Sequence, residues 1–260
     1  MARRGTLAFT MSEVGSSDDE DIRAGENTDF CHFNEDSSCT TFTIDLFGGI
    51  VILDQDPSNA SGHGFSVWDA SIIFSKFVET SPHHFTASEL RDKHILELGS
   101  GPGLAGIALM LRGAKVVFTD MREVVDLTEV NALRAYHKFK TVLSLHEPRV
   151  TALDWTEDEL TQRRTVGEGI LFDFVVLTDC IFSGYLVPHI LNTILRFCSK
   201  HTLVVCAFEN RDENVSALFK EVMSVFFKIK KVAGRKLNAK YKNDMVELLI
   251  CKLDRKIVKL

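Results

Sequence analysis

From about position 40 onward, apolar residues fall into short runs of two alternating kinds. Two β-branched runs, 41–46 and 50–53, flank Gly48-Gly49 and predict a hairpin. From Ala70 the spacing becomes helical, with Ile72, Ile73, Phe77 and Val78 on one side, and Ser81-Pro82 ends the segment. Continuous apolar runs at 95–98, 115–119, 150–153, 172–178 and 202–208 predict strands covered on both faces. Helical patterns separate them at 104–111, 124–136, 186–197 and 215–227, and the polar stretch 156–169 reads as a loop or short helix. In the second of these helices Val124, Leu127, Val130 and Leu133 form the expected apolar stripe. Two last β-like runs, 226–232 and 245–251, are joined by basic turn residues and predict an antiparallel pair.

Strands alternating with helices make an α/β fold with a mainly parallel, doubly wound sheet. Right-handed crossovers bring the C-terminal strand ends to one edge, where such sheets bind ligands. A glycine turn at 99–103, Asp120, Asp154-Trp155 and Asp179 all stand at strand ends and are therefore expected to converge.

Charge refines this picture. The net charge of −6 disfavours nucleic acid as a partner for the whole surface. Residues 11–38 hold nine acidic groups and one basic, with few aliphatics, and predict a disordered tail. The expected division is an acidic tail, 1–38, and one domain, 39–260, of which 39–66 form the hairpin and linker. Lys228, Lys230, Lys231, Arg235, Lys236, Lys240 and Lys242 read as a solvated hairpin, docking of an acidic partner being the alternative. The six cysteines lack any CxxC or metal-ligand spacing, so reduced thiols and no metal are expected. Without a run of about 18 apolar residues no membrane partner is expected, and a cytoplasmic or nuclear monomer is.

The stretch 94–120, HILELGSGPGLAGIALMLRGAKVVFTD, carries the chemistry. Gly99, Gly101 and Gly103 let the backbone approach a ligand, and the helix start behind them suits a carboxylate or a phosphate. Residues 101–106 even satisfy G-x-G-x-x-G, with Asp120 lying 19 residues beyond Gly101, as a dinucleotide site requires. Register argues otherwise, because the strand enters the turn at Gly99 and Glu97 sets a carboxylate where a pyrophosphate would lie. A zwitterionic methionine group with a cationic sulfonium tolerates that charge, which favours S-adenosylmethionine (SAM) as cofactor. Asp120 then suits the ribose hydroxyls, while Trp155 covers adenine and Asp154 reaches the base edge, packing of the indole being the plainer reading. Trp68 is either core or a wall of the same pocket.

VWDA at 67–70, ILELGSGPG, VVFTD, LDW, LTDCIF and FENR occur in an order and spacing that resemble the family 16 methyltransferases, the methyltransferase-like 21 group, over roughly residues 40–252. This resemblance implies a class I SAM-dependent methyltransferase fold, Rossmann-like and seven-stranded, with a protein lysine as acceptor, an AAA ATPase or chaperone-type protein being the expected partner. It places Trp68, Gly99, Ser100, Gly101, Asp120, Trp155 and Thr178 at the cofactor, and Asp179 through Phe182 on the acceptor side. Phe182 lacks the hydroxyl that tyrosine brings there in many members. Asp179 is expected to orient the amine, capping of the next helix being the alternative. Transfer to nucleic acid or a small molecule, and a non-catalytic SAM-binding adaptor, are the rival functions; the run 179–182, DCIF, is not the Asn/Asp-Pro-Pro-aromatic signature of adenine-N6 enzymes.

Overall fold

The computed structural model describes residues 40–60, 62–81 and 84–254; the acidic tail, Cys31 and Cys39 lie outside them. Strands β1 (Thr41–Leu46) and β2 (Gly49–Asp54) pair antiparallel as the predicted hairpin. Alternate residues of β1, Phe42, Ile44 and Leu46, are buried, so one face of the hairpin closes the core. Helix α1 (Asp69–Thr80) follows and is buried along almost its whole length, because hairpin, sheet and neighbouring helix cover it. Its Lys76 ammonium meets Glu79 at 2.9 Å and the Asp45 carbonyl, which accounts for a lysine inside that layer. A one-turn helix, α2 (Ala87–Leu90), was not legible in the periodicity.

The main sheet comprises β3 (His94–Leu98), β4 (Lys115–Asp120), β5 (Arg149–Ala152), β6 (Phe174–Thr178), β7 (Leu203–Glu209), β8 (Phe227–Lys231) and β9 (Val246–Leu253). Their order is β5-β4-β3-β6-β7-β9-β8, with β9 antiparallel to both neighbours and the rest running together. Helices α3 (Leu104–Leu111) and α4 (Val125–Phe139) join α1 on one face; α5 (Glu159–Val166), α6 (Leu186–Phe197) and α7 (Glu213–Phe226) cover the other. The central strands serve both layers: in β3, Ile95 faces the α1–α3 side, whereas Leu96 and Leu98 face the α6–α7 side. From β3 the chain moves outward through β4 and β5, then crosses back to continue through β6 and β7 on the other side, and at the boundary between β3 and β6 the strand ends open a crevice.

One expected face is corrected. On α4, Val130 is 51% exposed and the buried side is Val125, Thr128, Asn131, Ala132 and Ala135. Hydrogen bonding outweighs the apolar stripe. Asn131 Nδ2 donates to the carbonyls of Asp54 (2.9 Å) and Pro102 (3.0 Å), and its Oδ1 accepts the Asp54 N–H at 2.7 Å. Thr128 Oγ1 donates to the Gly101 carbonyl at 2.6 Å. Helix α4 thereby ties the hairpin to the glycine turn through two buried polar side chains, each satisfied. Among the described residues no helix is long and apolar enough to cross a membrane, and no cluster of His, Cys, Asp and Glu could hold a metal.

Candidate active site

A cleft of about 560 Å³ runs along the C-terminal edge of β3, β4 and β6. Its floor is the glycine turn, where Gly99, Gly101 and Gly103 take φ of 63°, 53° and 91°, the left-handed region that glycine enters without strain. Space demands glycine as well: a Cβ on Gly99 would lie 2.5 Å from Cys180 Sγ, and one on Gly101 would lie 3.2 Å from the Gly64 carbonyl oxygen. Ser100 closes the turn onto β4, its N–H reaching the Thr119 carbonyl (2.9 Å) and its Oγ accepting the Thr119 N–H (3.1 Å).

Asp120 faces this floor. Its Oδ2 accepts the Gly101 N–H and its Oδ1 the Met121 N–H, both at 2.7 Å, leaving one lone pair on each oxygen for a ligand. Burial pushes this carboxyl up to about 6, against the two N–H bonds that favour its charged form. Trp155 stands beside Gly99, and its Nε1 is buried with no hydrogen-bond partner among the described residues. Asp154 lines the rim, its Oδ1 taken by the N–H (2.8 Å) and hydroxyl (2.7 Å) of Thr156.

Glu97 is elsewhere. Strand alternation turns it toward α3, where Oε1 accepts the Gly106 N–H at 2.9 Å, and it does not line the cleft. A Cβ on Gly106 would come within 2.3 Å of Phe118 Cε1 and 2.4 Å of Glu97 Oε2, so the ring and the carboxyl together leave room only for glycine. Oε2 makes no acceptable hydrogen bond, although the Ser100 hydroxyl is near enough to favour the charged form. Complete burial prevails and pushes the carboxyl up to about 8, leaving it mostly neutral near pH 7. The expected direct role of Glu97 beside the cofactor, and the charge argument built on it, are therefore corrected: it anchors the helix behind the turn.

At the other end of the cleft lie Thr178, Asp179 and Phe182 with Trp68. Phe182 is 44% exposed and meets the His63 ring edge-on at 5.8 Å; Trp68 Nε1 donates to the His63 carbonyl at 2.9 Å. The Asp179 carboxylate, buried, faces Arg211, whose guanidinium carbon lies 4.7 Å from the centre of the Trp68 ring. Cys180, next in the chain, donates to the Leu98 carbonyl at 3.3 Å and wedges under Gly99. Burial and the nearby carboxylates hold its thiol well above the ordinary range, so it is an inert packing group.

Three contributors escaped sequence reasoning. The strap 62–66 walls the cleft with His63 and Gly64, and only the Gly-His-Gly run hinted at it. Arg211 stood in the FENR motif without a role, and the cysteine of DCIF gave no sign of being a wedge.

A family of lysine methyltransferases matches residues 49–225. The chain belongs to that family. Among its relatives are Protein N-lysine methyltransferase METTL21A of Xenopus tropicalis, 28% identical over 163 residues, and Protein-lysine methyltransferase METTL21E of Mus musculus, 26% identical over 164. Each alignment covers 63% of this chain, and they span 68% and 64% of those relatives' own lengths. Two solved structures share the fold at a TM-score of 0.53 and 14% identity: a Thermus thermophilus 16S rRNA methyltransferase in complex with SAM and guanosine, over 82% of this chain and 50% of that one, and a SAM-dependent methyltransferase of Agrobacterium tumefaciens, over 85% and 72%. The class I methyltransferase fold with an N-terminal hairpin is thus the fold of this family member. SAM, the methyl donor of such enzymes, fits the donor set present. The orphaned Trp155 Nε1 and the free lone pairs of Asp120 suit an adenosine, and the cradle at Gly99 and Gly101 leaves room that a Cβ would fill.

Proposed function

We propose that this methyltransferase acts on the ε-amine of lysine in a protein substrate. What supports this most is that one continuous cleft joins the glycine turn and Asp120 to an aromatic mouth made by His63, Trp68 and Phe182. A lysine stem is apolar and thin, and such rings shield it from water while its nitrogen reaches inward.

When bound, SAM supplies a methyl group on a cationic sulfur. Asp120, Trp155 and the N–H groups beyond the glycine turn would hold its adenosine and methionine parts, and Thr178 would border the reactive end. The chain's task toward the acceptor is to deliver a neutral amine, although lysine normally titrates near 10.4. Apolar walls disfavour the ammonium form, and confinement aligns nitrogen with the methyl carbon. Asp179 and Phe182 form the acceptor wall, Asp179 through its fixed carboxylate and Phe182 as an apolar side.

The relatives' printed names also favour a protein lysine, and because the VWDA, DCIF and ENR runs resemble those of the lysine methyltransferase that acts on the AAA ATPase valosin-containing protein, that protein is the first substrate to try. We place the reaction in the cytoplasm or nucleus and assign it to a monomer. Incubation of the protein with tritiated SAM and a cell extract tests the reading. Label is expected on lysine in a protein band, weakened by Asp179→Ala, which leaves the Arg211 charge unbalanced beside the cleft. Label confined to RNA would overturn the substrate class.

A further inference from the structure

Asp179 borders the cleft, yet its side chain is only 2% exposed. Its Oδ1 accepts the Glu209 N–H at 3.0 Å and Arg211 Nη1 at 3.2 Å; Oδ2 accepts the Ala70 N–H and Arg211 Nη2, each at 3.4 Å. Arg211 is held in turn, by Glu209 Oε2 at 2.8 Å and by the face of Trp68. The backbone of Asp179 is left-handed, with φ 57°, a conformation kept only where the surroundings insist on it. So much apparatus fixes a carboxylate whose four nearest donors leave it little to offer an incoming amine.

We propose that Arg211 is a positioning residue of the acceptor site, whose ion pair withholds the Asp179 carboxylate from the lysine so that the amine arrives neutral. The inference rests on the protein-lysine reading above. A bare carboxylate within reach would favour the ammonium, raising its pKa by about 1–3 units, and an ammonium has no lone pair to attack with. With Arg211 in place the charge is balanced and the lone pairs are occupied. The ammonium's proton then goes to water; the nitrogen lone pair forms the N–C bond as the C–S bond breaks, and that electron pair stays on sulfur.

The surroundings sharpen the prediction. Glu209 faces the corner from the end of β7, and Asp69 from the first turn of α1, its Oδ2 accepting from Asn243 Nδ2 at 3.1 Å. Cys180 beside Asp179 is neutral, and His63 stands across the mouth against Phe182. Arg211 pairs with both Asp179 and Glu209; of these two carboxylates Asp179 lines the cleft and Glu209 does not, so removing Arg211 leaves the Asp179 charge unbalanced beside the acceptor.

The test is the pH dependence of tritium transfer from SAM to the protein fraction of an RNase-treated extract, for wild type, Arg211→Lys, Arg211→Gln and Arg211→Gln/Asp179→Asn, with SAM affinity measured alongside. Arg211→Gln should move the acid limb upward by about one pH unit or more, with a roughly tenfold loss at pH 7 that shrinks toward pH 10. The double variant should return the limb to its wild-type position, and Arg211→Lys should barely move it. A loss equal at every pH, or a limb that stays displaced in the double variant, would overturn the proposal while leaving the lysine reading intact. No label with wild-type protein would overturn both. If Arg211→Gln alone does not fold, the comparison of the double variant with Arg211→Lys decides, since the proposal requires their limbs to coincide.

Discussion

Replacing Glu97 by glutamine should make the protein more stable in mild alkali. The native carboxyl titrates at about 8 and an unfolded one near 4.5. Below 4.5 both states hold the proton and the group contributes its full share. As pH rises the unfolded chain ionises first, so native stability falls until the folded group has titrated too. At 1.36 kcal/mol per unit, this separation amounts to about 5 kcal/mol between pH 4.5 and pH 8, an upper figure for a residue buried in an apolar layer. Glutamine keeps an oxygen for the Gly106 N–H, which meets Glu97 Oε1 at 2.9 Å, and carries no charge to bury. Asp120 titrates in both proteins and largely cancels from the difference. Urea unfolding at pH 5, 6.5 and 8 gives the comparison directly. Near-equal midpoints at pH 5, with the variant ahead by a few kcal/mol at pH 8, are expected. Curves that stay parallel across that range would show that Glu97 is ionised in the native state, and the account of its burial would fail.

Asp120→Ala should weaken SAM binding by about 1–3 kcal/mol, read by calorimetry, through loss of charged acceptors and of the Gly101 N–H anchor. Gly99→Ala puts a Cβ 2.5 Å from Cys180 Sγ at φ 63°; a loss of SAM affinity of tenfold or more is expected, recovered only in part by adding Cys180→Gly, since the backbone strain of about 1–3 kcal/mol remains. Asn131→Ala strands the Asp54 N–H and two carbonyls and should lower unfolding stability by about 2–3 kcal/mol in urea titration, whereas Val130→Ala on the exposed side should change it little.

Much of this architecture is written in local pattern. The hairpin, the five parallel strands and the antiparallel pair were legible because strand alternation and helical spacing are properties of neighbouring residues, and because parallel strands need apolar side chains on both faces. The same topology gathers Gly99, Asp120, Trp155 and Asp179 at one edge, so the outline of the site followed from strand order alone. Contacts between distant segments were not legible. The buried face of α4 is set by Asn131 reaching a hairpin 77 residues away, against its own apolar stripe. Glu97 turns from the cleft because α3 offers it an N–H and a glycine-sized gap. Arg211 pairs with Asp179 across 32 residues, since adjacent strand ends bring them within hydrogen-bond reach. Periodicity states which residues can be buried and which loops meet at a sheet edge; where a polar side chain points once there depends on which unsatisfied N–H or carbonyl the fold has left nearby, and only the tertiary structure decides that.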